Sequence, residues 1–112
     1  MVKKATKKLG KKFMWRITVS APYYYRNPGR KRDSISSAFM VRSWFKTKDE
    51  AESPEVEEEL TEQALAGRNQ TLEDDRFSWW NNDPTYVEVT KAQKVPYDAR
   101  FIGITSEKDE RE

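Results

Sequence analysis

Cysteine and histidine are both absent from the 112 residues. Without cysteine there is no disulfide framework, no thiolate metal site and no thiol nucleophile, and nothing speaks for an oxidising compartment. Without histidine the commonest general base is missing, and with it the Ser-His and Cys-His arrangements of nucleophilic catalysis. The four glycines stand alone at 10, 29, 67 and 103, so there is no glycine-rich phosphate loop or dinucleotide fingerprint. No apolar run approaches the roughly 20 residues of a membrane span. The lysine-rich start leads into alternating residues rather than a signal-peptide apolar segment. What catalysis remains would need paired carboxylates or a carboxylate-held Mg²⁺, with Glu73, Asp74, Asp75 and Asp83 as candidates. A solvated acidic loop explains those four better, because no calcium-loop spacing joins them. The expectation is a cytoplasmic binding protein, not an enzyme, with no cofactor, no metal and no membrane partner.

Apolar material is scarce, at 36% hydrophobic against 36% charged, but it is concentrated in large side chains: four Trp, five Tyr and five Phe. Large aromatics bury much area per residue, so one modest core is affordable at this length. The net charge of +2 conceals a sharp division. Residues 1–48 hold fourteen Lys and Arg against Asp33, giving +13; residues 49–112 hold seven against eighteen acids, giving −11. Such asymmetry points to nucleic-acid or acidic-surface binding. The competing explanation is that the two halves neutralise each other on folding.

Residues 1–12 carry six lysines, with Val2 and Leu9 as the only larger apolar side chains beyond Met1, and read as a disordered basic arm. The domain is expected over 13–105. Phe13, Trp15, Ile17, Val19 and Ala21 alternate with more polar residues, the period of a half-buried strand. Pro22 should end that strand or push it to an edge. Asn27-Pro28-Gly29 is a turn, after which Ile35 to Thr47 resumes as a second strand, giving a long antiparallel hairpin. Ser53 followed by Pro54 and four glutamates through Glu59 is a helix start; Val56, Leu60 and Ala64 form its apolar stripe and Gly67 its stop. Residues 68–85 read as a connection, Tyr86–Thr90 and Phe101–Thr105 as short strands, and 106–112 as a charged, frayed tail. The fold class is α+β: a four-stranded, mainly antiparallel sheet in ββαββ order with one packed helix. A small OB-like or SH3-like barrel is the alternative.

The stretch from Tyr23 to Arg32 sets three tyrosines beside Arg26, Arg30, Lys31 and Arg32 at the hairpin tip, combining charge for phosphates with flat faces for bases. The expected partner is RNA or single-stranded DNA, bound with low sequence specificity. Lys3, Lys4, Lys7, Lys8, Lys11 and Lys12 would contact phosphates loosely from the arm. Arg26, Arg30, Lys31 and Arg32 would do so from the loop, Arg16 and Arg42 would extend the stripe, and Tyr23 or Tyr25 would stack. The rival function is a regulatory or inhibitory protein that docks on another protein. Its contacts would be Glu57, Glu58 and Glu62 on the acidic helix, or the Trp79/Trp80 patch, since exposed tryptophan suits an interface. Adjacent tryptophans in a strand face opposite ways, although in a connection both could simply roof a small core.

Overall fold

A computed structural model describes residues 12–26, 35–73, 78–81 and 83–110. The arm except Lys12, the loop cations Arg30, Lys31 and Arg32, and Asp74 and Asp75 lie outside the described residues.

The chain forms an open antiparallel sheet with one main helix on one face. Strand β1 (Phe13–Arg26) is the long spine of the sheet. Strand β2 (Ile35–Phe45) pairs with it antiparallel from Trp15↔Phe45 to Tyr25↔Ile35 without a break, as the hairpin reading requires. The far edge of β2 takes β5 (Thr105–Asp109). The other edge of β1 is shared end to end: β4 (Glu88–Pro96) lies along Phe13 to Ser20, and β3 (Ser78–Trp80) lies along Tyr24 to Arg26. The sheet stays open rather than closing into a barrel.

That shared edge explains Pro22. The strand does not end there, because Pro22 faces the gap between β3 and β4, where its missing N–H costs no ladder bond. The gap is closed from the helix. Arg68, only 1% exposed, donates from Nη1 to the Pro22 carbonyl at 3.3 Å and from Nη2 to the Pro84 carbonyl at 3.0 Å. Its Nε and Nη2 also reach Asn69 Oδ1. Burial holds this guanidinium below its ordinary pKa.

Two helices follow β2. A single turn, α1 (Lys48–Ala51), is capped by Thr47, whose hydroxyl accepts from the Glu50 amide. Helix α2 (Pro54–Glu73) begins where Ser53 and Pro54 predict, with the Val56 amide donating to Ser53 Oγ. It does not stop at Gly67. Leu60, Ala64, Arg68 and Leu72 follow one another at four-residue spacing and are all buried, so the stripe continues for two turns beyond the expected end. Gly67 is there for closeness: a Cβ at that position would overlap the Phe39 ring. Tertiary contact outweighs glycine's poor helix propensity.

The main core joins Ile17, Val19, Ala21, Phe39 and Val41 of the sheet to Ala51, Leu60 and Ala64 of the helices. A second cluster sets Leu72 against Tyr23 and Tyr25, with Ile35 and Trp79 at its side. The later strands are displaced from their expected positions. The strand expected over Tyr86–Thr90 begins at Glu88 and runs on to Pro96 as β4, and Ile102, in the strand expected over Phe101–Thr105, makes only a bridge to Trp44. The residues read as a frayed tail supply β5, anchored where the Tyr23 hydroxyl donates to Asp109 at 2.6 Å. Gly103, at φ 81°, turns the chain into that strand.

Candidate functional site

Helix α2 covers the odd-numbered side of β1, so the even-numbered side forms a second, open face. Its lower end is roofed by the 97–104 segment, where Trp44 meets Phe101 at 4.9 Å between ring centroids. The rest carries arginines, hydroxyls and aromatic rings.

At the upper end, register places Tyr24 of β1 opposite Trp80 of β3. Their rings stack at 6.0 Å and 27°, and both remain more than a third exposed. The Arg26 guanidinium lies 5.7 Å from the Trp80 ring centroid. Midway along the face, the pairs Arg16↔Trp44 and Thr18↔Arg42 make Arg16 and Arg42 diagonal neighbours. Arg16 donates from Nη2 to Gln93 Oε1 at 2.7 Å. The Nε atoms of both arginines are buried and lack a hydrogen-bond partner. Neither arginine joins an ion pair among the described residues. Two partly desolvated guanidinium groups with donors to spare form an anion-seeking arrangement.

Between these two features, at the gap in the β1 edge, lies a pocket of 350 Å³ lined by Pro22, Tyr24, Ser36, Asn81, Asp83, Tyr86 and Glu88. Asp83 Oδ1 accepts from the Thr85 amide at 3.0 Å and hydroxyl at 2.8 Å. The Thr85 hydroxyl, then its amide, hold the Asp83 carboxyl below its ordinary value.

The expected stacking residues are corrected by this arrangement. Tyr23 and Tyr25 are 1% and 3% exposed, packed under α2, where no base can reach them. The outward ring is Tyr24. The two tryptophans do face opposite ways: Trp79 packs edge-on to Tyr23 at 6.3 Å, and Trp80 faces out. The Trp79/Trp80 patch is therefore a single exposed Trp80. Of the cations, Arg16, Arg26 and Arg42 fall on the open face. Lys12 lies at the far end of the spine, 5.9 Å from the Tyr97 ring centroid. Glu57, Glu58 and Glu62 are exposed on α2, in the other layer, and do not cover this face. Of the carboxylates considered for catalysis, Glu73 ends α2 and Asp83 lines the pocket. No group of three or more acidic side chains is gathered for a metal ion among the described residues. No helix among them is long and apolar enough to cross a membrane.

Tyr24, Asn81, Tyr86 and Glu88 were not singled out by sequence. For Tyr24 a signal existed: Tyr23 and Tyr25 share the parity of Ile17, Val19 and Ala21, so the strand pattern already points them inward. The others come together only through the pairing of β3 and β4 with one edge, which the sequence does not announce.

No protein-family model matches the chain, and no curated protein or solved structure matches it either.

Proposed function

We propose that this protein is a non-enzymatic binder of single-stranded nucleic acid, RNA or DNA, which it takes on the open face of its sheet. Tyr24 and Trp80 stack on bases; Arg26, Arg16 and Arg42 hold phosphates. The observation that carries the reading is the stacked, solvent-facing Tyr24–Trp80 pair with Arg26 beside it, on the same face as two arginines that lack carboxylate partners among the described residues. A planar aromatic platform is sequence-tolerant because every base has a π-face, and cations beside it supply the phosphate contacts. The lysines of residues 1–12 and the loop cations Arg30, Lys31 and Arg32 would add phosphate contacts in this reading. A cytoplasmic location goes with this reading.

Fluorescence anisotropy with labelled oligonucleotides over a series of salt concentrations tests it. Tyr24→Ala or Trp80→Ala should weaken binding about tenfold, in line with the 1–3 kcal/mol of a base–aromatic stack, and leave the salt slope intact. Arg16→Gln and Arg42→Gln should each flatten the slope of log affinity against log salt by about 0.7, the value for one phosphate contact on a single strand. If the wild-type protein binds no oligonucleotide even at low salt, the proposal fails. The exposed acidic side of α2 would then be the surface to probe for a protein partner.

A further inference from the structure

The pocket at the β3–β4 gap is poorly suited to a phosphate. Two carboxylates, Asp83 and Glu88, stand in its wall, and no cationic side chain lines it among the described residues. Its other walls are tyrosine rings, a proline and the small polar groups of Ser36 and Asn81. At 350 Å³ this open cleft has room for a small planar molecule. The pocket shares Tyr24 with the stacking platform, so a strand lying on that platform has a neighbouring base within reach of it.

The polar groups decide which base. An ionised carboxylate only accepts hydrogen bonds. Both lone pairs of Asp83 Oδ1 are committed to Thr85, which leaves Oδ2 for a ligand. The Glu88 carboxylate accepts no hydrogen bond among the described residues, so both its oxygens are available. Two carboxylate oxygens match two parallel N–H donors, the geometry that makes arginine–carboxylate pairs bidentate. Among nucleobases, guanine alone presents that pair, N1–H beside the N2 amino group. Its O6 then needs a donor, and the Asn81 carboxamide supplies one. Uracil and thymine present two carbonyl acceptors around one N–H and would face the carboxylates with like-signed edges.

We infer that this pocket holds one guanine by its Watson–Crick edge, with Glu88 accepting from N1–H and the N2 amino group, and Tyr24 and Tyr86 flanking the base. This rests on the nucleic-acid reading and departs from low sequence specificity at one position. A cationic peptide would also suit two carboxylates and two tyrosines, but it would have to approach across Arg26, Arg16 and Arg42. A nucleotide uses both signs of charge on the face.

The test compares a labelled oligouridine with the same oligomer carrying one central guanine, and one central cytosine, by anisotropy. The guanine oligomer should bind about tenfold more tightly than oligouridine, the discrimination of one bidentate pair. Glu88→Gln should erase that preference, while affinity for oligouridine should not fall. Guanosine monophosphate should shift the Tyr24 and Tyr86 ring resonances in NMR spectra of the wild type. Equal binding of all three oligomers, or a preference for cytosine, overturns the guanine site and leaves the nucleic-acid reading standing. Absence of binding to any oligomer overturns both. Ring shifts produced by an arginine-rich peptide and not by guanosine monophosphate overturn the inference in favour of a cation site.

Discussion

Replacing Arg68 by methionine isolates the bonds that close the sheet edge, since methionine keeps a long unbranched stem of comparable reach. Four hydrogen bonds disappear: one to Pro22 O, one to Pro84 O and two to Asn69 Oδ1. Asn69 is exposed, so water takes over there at little cost. Pro84 is exposed as well, and its carbonyl is partly rescued. The Pro22 carbonyl lies between strand and helix, and leaving it without a donor costs about 1–3 kcal/mol. Against this, removing a guanidinium from a buried position relieves the desolvation that depresses its pKa. The net expectation is a loss of about 2 kcal/mol. For a domain of this size that lowers Tm by roughly 8 °C, using about 4 °C per kcal/mol. Urea denaturation should show a lower midpoint at an unchanged slope. Arg68→Lys should fall between, because one ammonium cannot span two carbonyls as a planar fork does. A methionine variant as stable as the wild type, or more stable, would refute the reasoning. It would mean that desolvation outweighs the bonds, as it does for some buried ion pairs.

Gly67→Ala should destabilise by about 1–3 kcal/mol through overpacking against Phe39, although alanine is the better helix former by about 1 kcal/mol. The double variant with Phe39→Leu should recover part of the loss in a denaturation cycle, and strict additivity would show that the two residues do not meet. Asp83 carries a depressed pKa from its Thr85 bonds, so the 83–86 turn is favoured above the ordinary carboxylate range and loses that support as pH falls through the lowered value. The Thr85 amide resonance should therefore titrate with a midpoint below that of an ordinary aspartate, and a midpoint at or above the ordinary value would contradict the geometry.

The elements with a local signature were legible. Alternation from Phe13 to Ala21 marked β1, and Ser53-Pro54 followed by glutamates marked the start of α2. Where reading failed, a distant contact outweighed a local rule. Pro22 reads as a strand end, but no local pattern reveals that two short strands will share one edge and leave it a gap. Gly67 reads as a helix stop, but Phe39, 28 positions earlier, needs the space. Arg68 reads as a polar loop residue. Its burial depends on two carbonyls at Pro22 and Pro84, both remote in sequence. The charged strand β5 carries no hydrophobic alternation, and its place is set by pairing with β2 and by the Tyr23–Asp109 bond. The open face was legible in part: its arginines followed from composition, whereas its exposed ring depended on a parity that the apolar run before it already fixed.

Among the described residues, arginines of the first half and the glutamates of α2 lie in different layers, while Asp83 and Glu88 stand beside the arginines at the open face. Where described residues of the two halves neutralise each other, ion pairs would join cations before residue 49 to acids after it. The ion pairs found among the described residues are Asp98–Arg100 and Lys108–Glu110, both within the second half. Arg16, Arg26 and Arg42 instead stand on one face of the sheet, and the glutamates of α2 stand in the layer behind the other. Packed layers lie roughly 10 Å apart, while the Debye length at physiological ionic strength is about 8 Å. A polyanion on the open face is thus largely screened from the acidic layer behind it, and meets the arginines at contact range, where screening is weakest. At low ionic strength the acidic layer would repel the same ligand. Some of the affinity gained by removing salt would then be lost, so the measured slope of log affinity against log salt should be shallower than the phosphate contacts alone would give.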